Sequence, residues 1–304
     1  MAPSGAFRLN LITERRPAAR IRTALLAAFA LAWLAGAAEA RQFTSGVNVV
    51  EVYATVTDPR GQPVKGLSQE QFTVRENGEA QQISTFAAGE FPLSVAVAID
   101  RSFSMAGERL ASAKSAARLF LGELRATDES MLVAVGSEIE VLAPLSTSRR
   151  DQFDALERLD AFGTTGLYDS IIAAIDAIQP ARGRRALILL SDGSDRYSKA
   201  TAAEALDRAR VSDVLIYPIA FGRTRPDAFA ELATLTGGRS FHLRDARQLP
   251  ETLKTIAAEL RNQYLIGYSP TRTPVPGSHE WRSITVTVSR PDVTVRARDG
   301  YLVK

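Results

Sequence analysis

Short apolar runs that alternate with helical patterns are the feature that most constrains this fold. Four runs, LSVAVAI, MLVAVG, ALILLS and VLIYPIAF, are nearly continuous in apolar residues. Such runs are typical of strands in a parallel sheet that is covered on both faces. Between the runs, apolar residues recur every three or four positions, as at Leu110, Ala113 and Ala117, which indicates helices. This alternation predicts an α/β domain with a doubly wound, mostly parallel sheet over residues 92–262.

Two β-rich segments flank the predicted α/β domain, one at residues 41–91 and one at residues 263–304. The first contains VNVVEVYATV and a hairpin pattern in which Asn77 and Gly78 suit the central positions of a type I′ turn. The second contains QYLIGYS, WRSITVTVS and VTVRARDGYLV. Because neither segment has enough strands to be stable alone, we expect both to pair into one small β-sandwich-like module.

Residues 1–40 have the pattern of a secretory signal peptide. A basic start precedes an apolar run from Ala24 to Ala35, and an A-x-A pattern predicts cleavage after Ala40. An uncleaved signal anchor is the alternative, but the run is short and alanine-rich for a membrane span. The Arg15-Arg16 pair leaves twin-arginine export open beside the general secretory route. We therefore expect an exported protein, periplasmic or extracellular, with no transmembrane segment after cleavage.

Charge and cysteine content exclude several classes of site. The chain has 37 basic and 34 acidic residues, but the predicted leader carries five arginines and two glutamates, which leaves 32 of each. Because the charge is then balanced and no dense basic run is present, we expect no nucleic-acid binding. The chain contains no cysteine, which excludes disulfides, thiolate metal sites and cysteine nucleophiles.

Polar side chains follow the predicted strands at the edge of the sheet where open α/β folds bind ligands. Three loops, which we expect at this one edge, supply carboxylates and hydroxyls without imidazole or thiol. Hard oxygen ligands of this kind favour Mg²⁺, Mn²⁺ or Ca²⁺ over zinc or copper. The side chains concerned are Asp100, Ser102 and Ser104 after the first strand, Thr164 and Thr165 in the second loop, and Asp192 in the third.

Each candidate also has a simpler structural interpretation. Ser102 or Ser104 can cap the following helix, as serine commonly does. Asp192 can form a turn with the glycine that follows it, and we expect Asp195 to be exposed to solvent. Asp169 either supports the threonine loop or is an ordinary acid at the start of a helix. The coincidence of all three loops at one edge favours the metal site over the helix cap.

The three loops together resemble the metal-ion-dependent adhesion site of the von Willebrand factor A domain family. That site combines D-x-S-x-S after the first strand, a threonine in a glycine-rich loop, and an aspartate after the fourth strand. Residues 100–104, DRSFS, match the first element, and Asp192 matches the last. The segment GTTGLYD is similar to the family form G-G-T-x-L-Y-D, which selects Thr165 and leaves Thr164 at a usual glycine position.

The flanking segments resemble those of an exported bacterial subfamily of von Willebrand A-related proteins. Residues 58–86 fit its pattern D..G.PV.GL....F.V.E.G..Q.I..F before the A domain. Residues 264–301 fit its tail, which runs from Y.IGY.P to R.GY.

The resemblance also implies roles for the candidate residues. Ser102 and Ser104 would bind the ion directly, and Thr165 would join them when ligand is present. Asp100 and Asp192 would act through water or as changing direct ligands. Thr164 and Asp169 are weaker candidates for a supporting role around the ion. An Asp or Glu of a protein partner would complete the shell of Mg²⁺, so the implied function is metal-dependent protein binding, as in cell adhesion.

Enzyme classes find less support in the sequence. The chain has two histidines, His242 and His279, and no G-x-S-x-G elbow for a serine hydrolase. His242 is expected on an edge strand, and His279 in a loop. No G-x-G-x-x-G follows the first strand and no Walker lysine is present, which argues against nucleotide binding. Two alternatives remain, a metal-dependent hydrolase using the same acids and an assembly scaffold in which metal binding is incidental.

Overall fold

A computed structural model of the chain describes residues 49–89, 91–222, 226–272 and 278–303. The predicted signal peptide and the first residues of the predicted N-terminal β segment lie outside these ranges. The strands are β1 Val50–Thr57, β2 Phe72–Glu76, β3 Glu79–Gln81, β4 Ile83–Gly89, β5 Leu93–Asp100, β6 Glu129–Val135, β7 Glu140–Ser146, β8 Arg184–Ser191, β9 Val214–Phe221, β10 Phe241–Leu243, β11 Gln263–Tyr268, β12 Trp281–Val288, β13 Thr294–Arg296 and β14 Gly300–Leu302. The α-helices are α1 Glu108–Gly122, α2 Arg149–Arg158, α3 Leu167–Ile178, α4 Ala202–Arg210, α5 Asp227–Thr236 and α6 Leu249–Arg261.

The central sheet has six strands in the order β10-β9-β8-β5-β6-β7. Neighbouring strands are parallel, except that β7 runs antiparallel to β6. The predicted α/β architecture with a mostly parallel sheet is therefore confirmed. His242 lies in β10 at one edge of this sheet, as expected.

Helices cover both faces of the central sheet, which explains why its strands are apolar throughout. Every residue of β5 is buried. Val95, Val97 and Ile99 of this strand pack with α1, α2 and α6 in one core. Ala96 and Ala98 point to the other face and pack with α3, α4 and α5 in a second core. Two-sided burial replaces the alternating polar pattern of a half-exposed strand by a continuous apolar run.

The register of the sheet brings the ends of β5 and β8 together. The two strands are parallel neighbours, and Ile99 is paired with Leu190. The next residues, Asp100 and Ser191, therefore leave the sheet side by side at its carboxyl edge. This edge is where the first and third of the predicted polar loops begin.

Strands from both ends of the described chain form a second, β-only module. Its two four-stranded sheets have the orders β13-β1-β11-β4 and β14-β12-β2-β3, so each mixes strands from before and after the α/β domain. Side chains of both sheets, among them Val52, Val74, Ile266 and Val286, share one buried core. The expected sandwich-like module from both segments is thus present, because neither set of strands could bury its apolar face alone.

The predicted hairpin joins β2 and β3 through Asn77 and Gly78. Both residues have positive φ, 49° and 84°, and Glu76 pairs with Glu79 across the turn. A type I′ turn requires positive φ at its two central positions, which asparagine and glycine tolerate best. The turn residues therefore set the register of this edge of the module.

A buried polar network lies inside the β module around Glu76. The Glu76 carboxylate accepts hydrogen bonds of 2.9 Å from the hydroxyls of Tyr268 and Tyr301 and from a guanidinium nitrogen of Arg282. The Arg282 side chain is fully buried, and that of Glu76 is 4% exposed. Buried charges of this kind require partners. The network therefore ties strand β2 to three strands that follow the α/β domain.

Polar contacts also join the module to the central sheet. The Gln263 side chain accepts a hydrogen bond of 3.1 Å from Arg184 at the start of β8 and donates one of 2.8 Å to Thr55 in β1. Because only Asn262 separates Gln263 from the end of α6, these bonds fix the crossing from helix to module. Within the described ranges, no helix is both long and apolar enough to span a bilayer.

Candidate functional site

Asp100 is the buried centre of the candidate site. It is fully inaccessible to solvent at the end of β5. One carboxylate oxygen accepts a hydrogen bond of 2.9 Å from the amide of Ser102, and the other accepts one of 2.6 Å from the Ser191 hydroxyl. Burial raises the pKa of Asp100, the bonds from Ser191 and Ser102 oppose this shift, and the nearby charge of Asp192 adds to it. The carboxylate is thus in a place where an added positive charge would stabilise it.

Ser102 and Ser104 place their hydroxyls together beside Asp100. The two Oγ atoms are 3.0 Å apart, and Ser102 is buried whereas Ser104 is exposed. Ser102 precedes a single 3-10 turn, Phe103–Met105, but its side chain makes no capping hydrogen bond. Helix α1 begins only at Glu108, after Gly107. The helix-cap interpretation of these serines is therefore wrong, and their alternate spacing leaves both hydroxyls directed to a common place.

The structure distinguishes the two threonines of the second loop. Thr165 is buried, and its hydroxyl lies 3.5 Å from both carboxylate oxygens of Asp100. Thr164 is half-buried, and its backbone is held by the Ser137 hydroxyl, which lies 3.2 Å from its amide nitrogen. Thr165 is thus the threonine that faces the acid. Thr164 has a structural place in the loop and no described contact with Asp100.

Asp192 begins the third loop directly after β8. One of its carboxylate oxygens accepts a hydrogen bond of 2.9 Å from the Ser194 amide, so the turn interpretation is correct. The turn is tight because Gly193 has a positive φ of 78° and donates its amide to the Ser191 hydroxyl at 3.0 Å. The carboxylate is half-buried, and its charge acts on Asp100. Asp192 can therefore form this turn and also belong to the candidate site.

Hydrogen bonds of Asp195 and Ser198, which we call the clasp, connect the third loop to the start of α3. Asp195 accepts hydrogen bonds from the Leu167 amide at 2.8 Å and from the Ser198 hydroxyl at 2.6 Å. The Ser198 hydroxyl in turn lies 2.9 Å from the amide of Tyr168. The expectation that Asp195 is simply exposed was wrong, because it satisfies a helix-start amide that has no partner within the helix. This clasp fixes the loop that carries Asp192 against the loop that carries the threonines.

Asp169 completes the clasp from the other side. Its two carboxylate oxygens accept hydrogen bonds of 2.9 Å and 2.8 Å from the amides of Lys199 and Ala200. The carbonyl of Thr165 also accepts bonds from the amides of Arg196 and Tyr197, at 3.0 Å and 3.1 Å. Asp169 is therefore a supporting residue that orders the third loop, and it makes no described contact with the hydroxyls beside Asp100.

Sequence reasoning missed several residues that build this site. Ser191 donates to Asp100, Ser137 holds the threonine loop, and Asp195 with Ser198 joins two loops. The available signal was the density of hydroxyl and acidic residues in SDGSDRYS after a buried strand. Each of these residues acts through a loop amide or another side chain, so the motif that names the candidate metal ligands does not include them.

The chemistry of the donors fits a hard divalent cation. Two carboxylates act on each other at this edge, and among the residues described, no Lys or Arg forms an ion pair with Asp100 or Asp192. The described part of the chain holds no group of three or more His, Cys, Asp or Glu side chains arranged for a metal. Two acids with several hydroxyls would supply oxygen ligands without such a cluster, as Mg²⁺ or Mn²⁺ prefers.

Residues 95–194 match the von Willebrand factor type A domain family. No curated protein matched the chain. Among solved structures, a von Willebrand factor type A protein from Catenulispora acidiphila has a TM-score of 0.52 at 16% identity, covering 80% of this chain and 71% of that one. Proximal thread matrix protein 1 from mussel byssus, whose metal-ion-dependent adhesion site (MIDAS) motif is occupied by zinc, has a TM-score of 0.51 at 14% identity. The match covers 61% of this chain and 49% of that one.

A third structure is that of an aerotolerance-related membrane protein from Bacteroides fragilis, with a TM-score of 0.48 at 18% identity. The match covers 55% of this chain and 98% of that one. At identities this low, the similarity to the Catenulispora acidiphila and mussel byssus proteins is one of fold alone. The matched segment of residues 95–194 begins in β5 and ends in the third loop, so it includes every candidate ligand.

Proposed function

The chain contains a von Willebrand factor type A domain, and we propose that this domain binds a divalent cation and, through it, an acidic side chain of a protein partner. Ser102, Ser104 and Thr165 would hold the cation, with Asp100 and Asp192 acting beside them. When bound, the cation supplies an oxygen-seeking positive charge that a partner carboxylate can approach. The function is binding, and it needs no bond to be made or broken.

One observation carries this proposal. The hydroxyls of Ser102, Ser104 and Thr165 gather around a fully buried carboxylate, Asp100, which has no cationic partner among the described residues. A buried carboxylate that lacks an opposite charge is costly, and titratable groups perturbed in this way cluster at functional sites. The zinc-occupied MIDAS motif of the mussel byssus protein, a structure of similar fold, supports a divalent cation.

We further propose that the protein works outside the cytoplasm. The support is the sequence pattern of residues 1–40, with its basic start, apolar run and A-x-A pattern. Fractionation of cells that express the whole chain, with detection at the C-terminus, tests this proposal. Retention of the protein in the cytoplasm would contradict it.

Titration calorimetry of the purified protein with Mg²⁺ and Mn²⁺ tests the metal site. We expect binding in the unchanged protein and its loss in Asp100→Ala and in Ser102→Ala. Asp154→Asn is a matched control, because Asp154 is an exposed acid on α2 that pairs with Arg150 and has no described contact with the three loops. The absence of any metal binding, even with an acidic peptide present, would contradict the proposal.

The same samples discriminate the alternatives. A metal-dependent hydrolase would turn over a phosphate or ester substrate steadily, and Asp192→Ala would abolish the turnover. A scaffold with incidental metal binding would capture the same partners from envelope extract with and without chelator. The proposed function predicts capture that a chelator abolishes and no turnover.

A further inference from the structure

Three exposed aromatic side chains belong to the loops of the candidate metal site. Among the aromatic residues that the structure describes, Phe103, Phe162 and Tyr197 are the exposed ones, with exposures of 68%, 64% and 59%. All other described Phe, Tyr and Trp residues are buried or half-buried. Large aromatic side chains left in solvent lose the free energy that their burial would provide. Their restriction to one edge of the fold therefore indicates a surface that another molecule covers.

Each aromatic residue belongs to a different loop of the site. Phe103 stands between Ser102 and Ser104 in the first loop. Phe162 is three residues before Thr165 in the second loop, and Tyr197 lies in the loop that begins with Asp192. The three loops thus each supply a candidate metal ligand and an exposed ring.

Backbone hydrogen bonds hold these three positions against one another. The Phe103 amide donates to the carbonyl of Gly163 at 3.1 Å, and the Phe162 amide donates to the carbonyl of Arg101 at 2.7 Å. The Tyr197 amide donates to the carbonyl of Thr165 at 3.1 Å. The rings are therefore attached to a continuous, hydrogen-bonded frame and not to separate loop tips. We name Phe103, Phe162 and Tyr197 the aromatic rim.

Basic side chains accompany the aromatic rim. Arg109, Arg196 and Lys199 are exposed near it, and Arg109 donates a hydrogen bond of 3.1 Å to the carbonyl of Ser104. Their charge complements an acidic group on an approaching molecule and repels a basic one. Aromatic and arginine residues together are also the types that dominate the energetics of protein interfaces.

From this arrangement we propose that the partner presents its acidic side chain between apolar residues, which cover Phe103, Phe162 and Tyr197. The inference rests on the proposed function, because the acidic side chain is the group that would approach the cation. It adds the chemical class of the partner residues that lie next to this acidic side chain. A carboxylate in a polar, glycine- or serine-rich surface would leave the rim in solvent, whereas an acid flanked by Leu, Ile, Phe or Trp would bury it.

A phage-displayed library of seven-residue peptides with a fixed central Asp and random neighbours tests this inference. Selection on the purified protein in MgCl₂ is expected to enrich apolar residues on both sides of the Asp. Replacing the apolar neighbours of a selected peptide by Ser is expected to weaken its binding about tenfold. Enrichment of Ser and Gly neighbours, or equal binding of both synthetic peptides, would overturn the inference.

Variants of the protein separate the rim from the metal site. Phe103→Ser and Tyr197→Ser are each expected to weaken the apolar-flanked peptide about tenfold and to bring it to the affinity of its Ser-flanked analogue. Leu119→Ser is the matched control, since Leu119 is 58% exposed but lies near the far end of α1. Equal effects of Leu119→Ser and Phe103→Ser would overturn the inference.

The failure of this inference differs from the failure of the proposed function. Mg²⁺-dependent selection of Asp peptides with polar neighbours overturns the aromatic rim as a partner surface and leaves metal-bridged binding in place. Selection that is unchanged by EDTA, or by replacing the central Asp with Asn, overturns both.

Discussion

The Asp195 carboxylate accepts a hydrogen bond of 2.8 Å from the backbone amide of Leu167, the first residue of α3. The acid stands in the loop after β8 and the amide follows the threonine loop, so this one bond joins two of the three loops of the site. Ser198 strengthens the connection, because its hydroxyl donates to Asp195 at 2.6 Å. The position of Asp192 relative to Thr165 therefore depends on a residue that would not bind the cation.

Asp195→Ala is expected to lower the free energy of unfolding by about 1 to 2 kcal/mol, the usual cost of removing an acceptor from a helix start. It should also weaken Mn²⁺ binding, because the loop with Asp192 loses its anchor. Urea denaturation and calorimetry measure the two effects. Asp195→Asn keeps an acceptor oxygen, so it should restore most of both. Equal loss of Mn²⁺ affinity in the Ala and Asn variants would contradict a positioning role.

Asp100→Asn is expected to separate stability from metal binding. The substitution keeps the side-chain volume but removes a fully buried negative charge that lies beside the charge of Asp192. Without metal, the variant should melt at the same temperature as the unchanged protein or higher, since sites that bind ligands are often strained in their absence. Mg²⁺ or Mn²⁺ should raise the melting temperature of the unchanged protein and leave that of the variant unaffected. A large loss of stability in the metal-free variant would show that Asp100 is structural.

Thr165→Ala is expected to lower Mn²⁺ affinity by about tenfold or more, because its hydroxyl faces both oxygens of Asp100. Thr165→Ser keeps the hydroxyl and should retain most of the affinity. Thr164→Ala is the neighbouring control, since the described contacts of Thr164 involve its backbone. Calorimetry with Mn²⁺ compares the three variants. Similar losses in Thr164→Ala and Thr165→Ala would contradict the assignment of the second loop.

The sequence was informative wherever one local pattern has one physical cause. Continuous apolar runs predicted β5 and β8 because both faces of the sheet are covered, and Asn77-Gly78 predicted a turn that requires two positive φ values. Ser102 and Thr165, beside Asp100, were predicted because their loops resemble a known metal site, whereas Ser191, which donates to Asp100, was not. The clasp of Asp195 and Ser198 was not, because their partners are backbone amides some thirty residues away, and no local pattern specifies such contacts.

The pairing of the two β segments shows the same limit. Their strand content predicted one shared module, but not the interleaved orders β13-β1-β11-β4 and β14-β12-β2-β3. These orders depend on which apolar faces fit across the module. The network of Glu76, Tyr268, Arg282 and Tyr301 likewise joins residues about two hundred positions apart. Residues from both β segments thus meet around the buried carboxylate of Glu76.

Glu76→Ala is expected to destabilise the protein strongly, by about 3 to 5 kcal/mol, because it leaves the buried guanidinium of Arg282 without its closest acid. Tyr301→Phe removes one neutral donor and should cost about 1 kcal/mol. Urea denaturation followed by circular dichroism measures both. Equal destabilisation by the two substitutions would contradict a network centred on the Glu76–Arg282 pair.

The tyrosines of this network predict a loss of stability at alkaline pH. Burial and the hydrogen bond to Glu76 raise the pKa of Tyr301 to about 12, and the same causes raise the pKa of Tyr268. Below a pH of about 10, the ordinary pKa of tyrosine, both are protonated in the folded and unfolded chains, and their contribution to stability is complete. Above it, the unfolded chain releases protons that the folded chain retains, so the free energy of unfolding falls as the pH rises.

Urea midpoints measured from pH 8 to pH 11.5 should therefore decrease above about pH 10. Tyr301→Phe should show a smaller decrease, because one of the raised groups is gone. Absorbance of tyrosinate in the folded protein should also rise at a higher pH than in urea. Removal of a tyrosine whose pKa is raised must reduce the number of protons that unfolding releases. If Tyr301→Phe loses stability with pH as steeply as the unchanged protein, the alkaline transition arises elsewhere in the molecule.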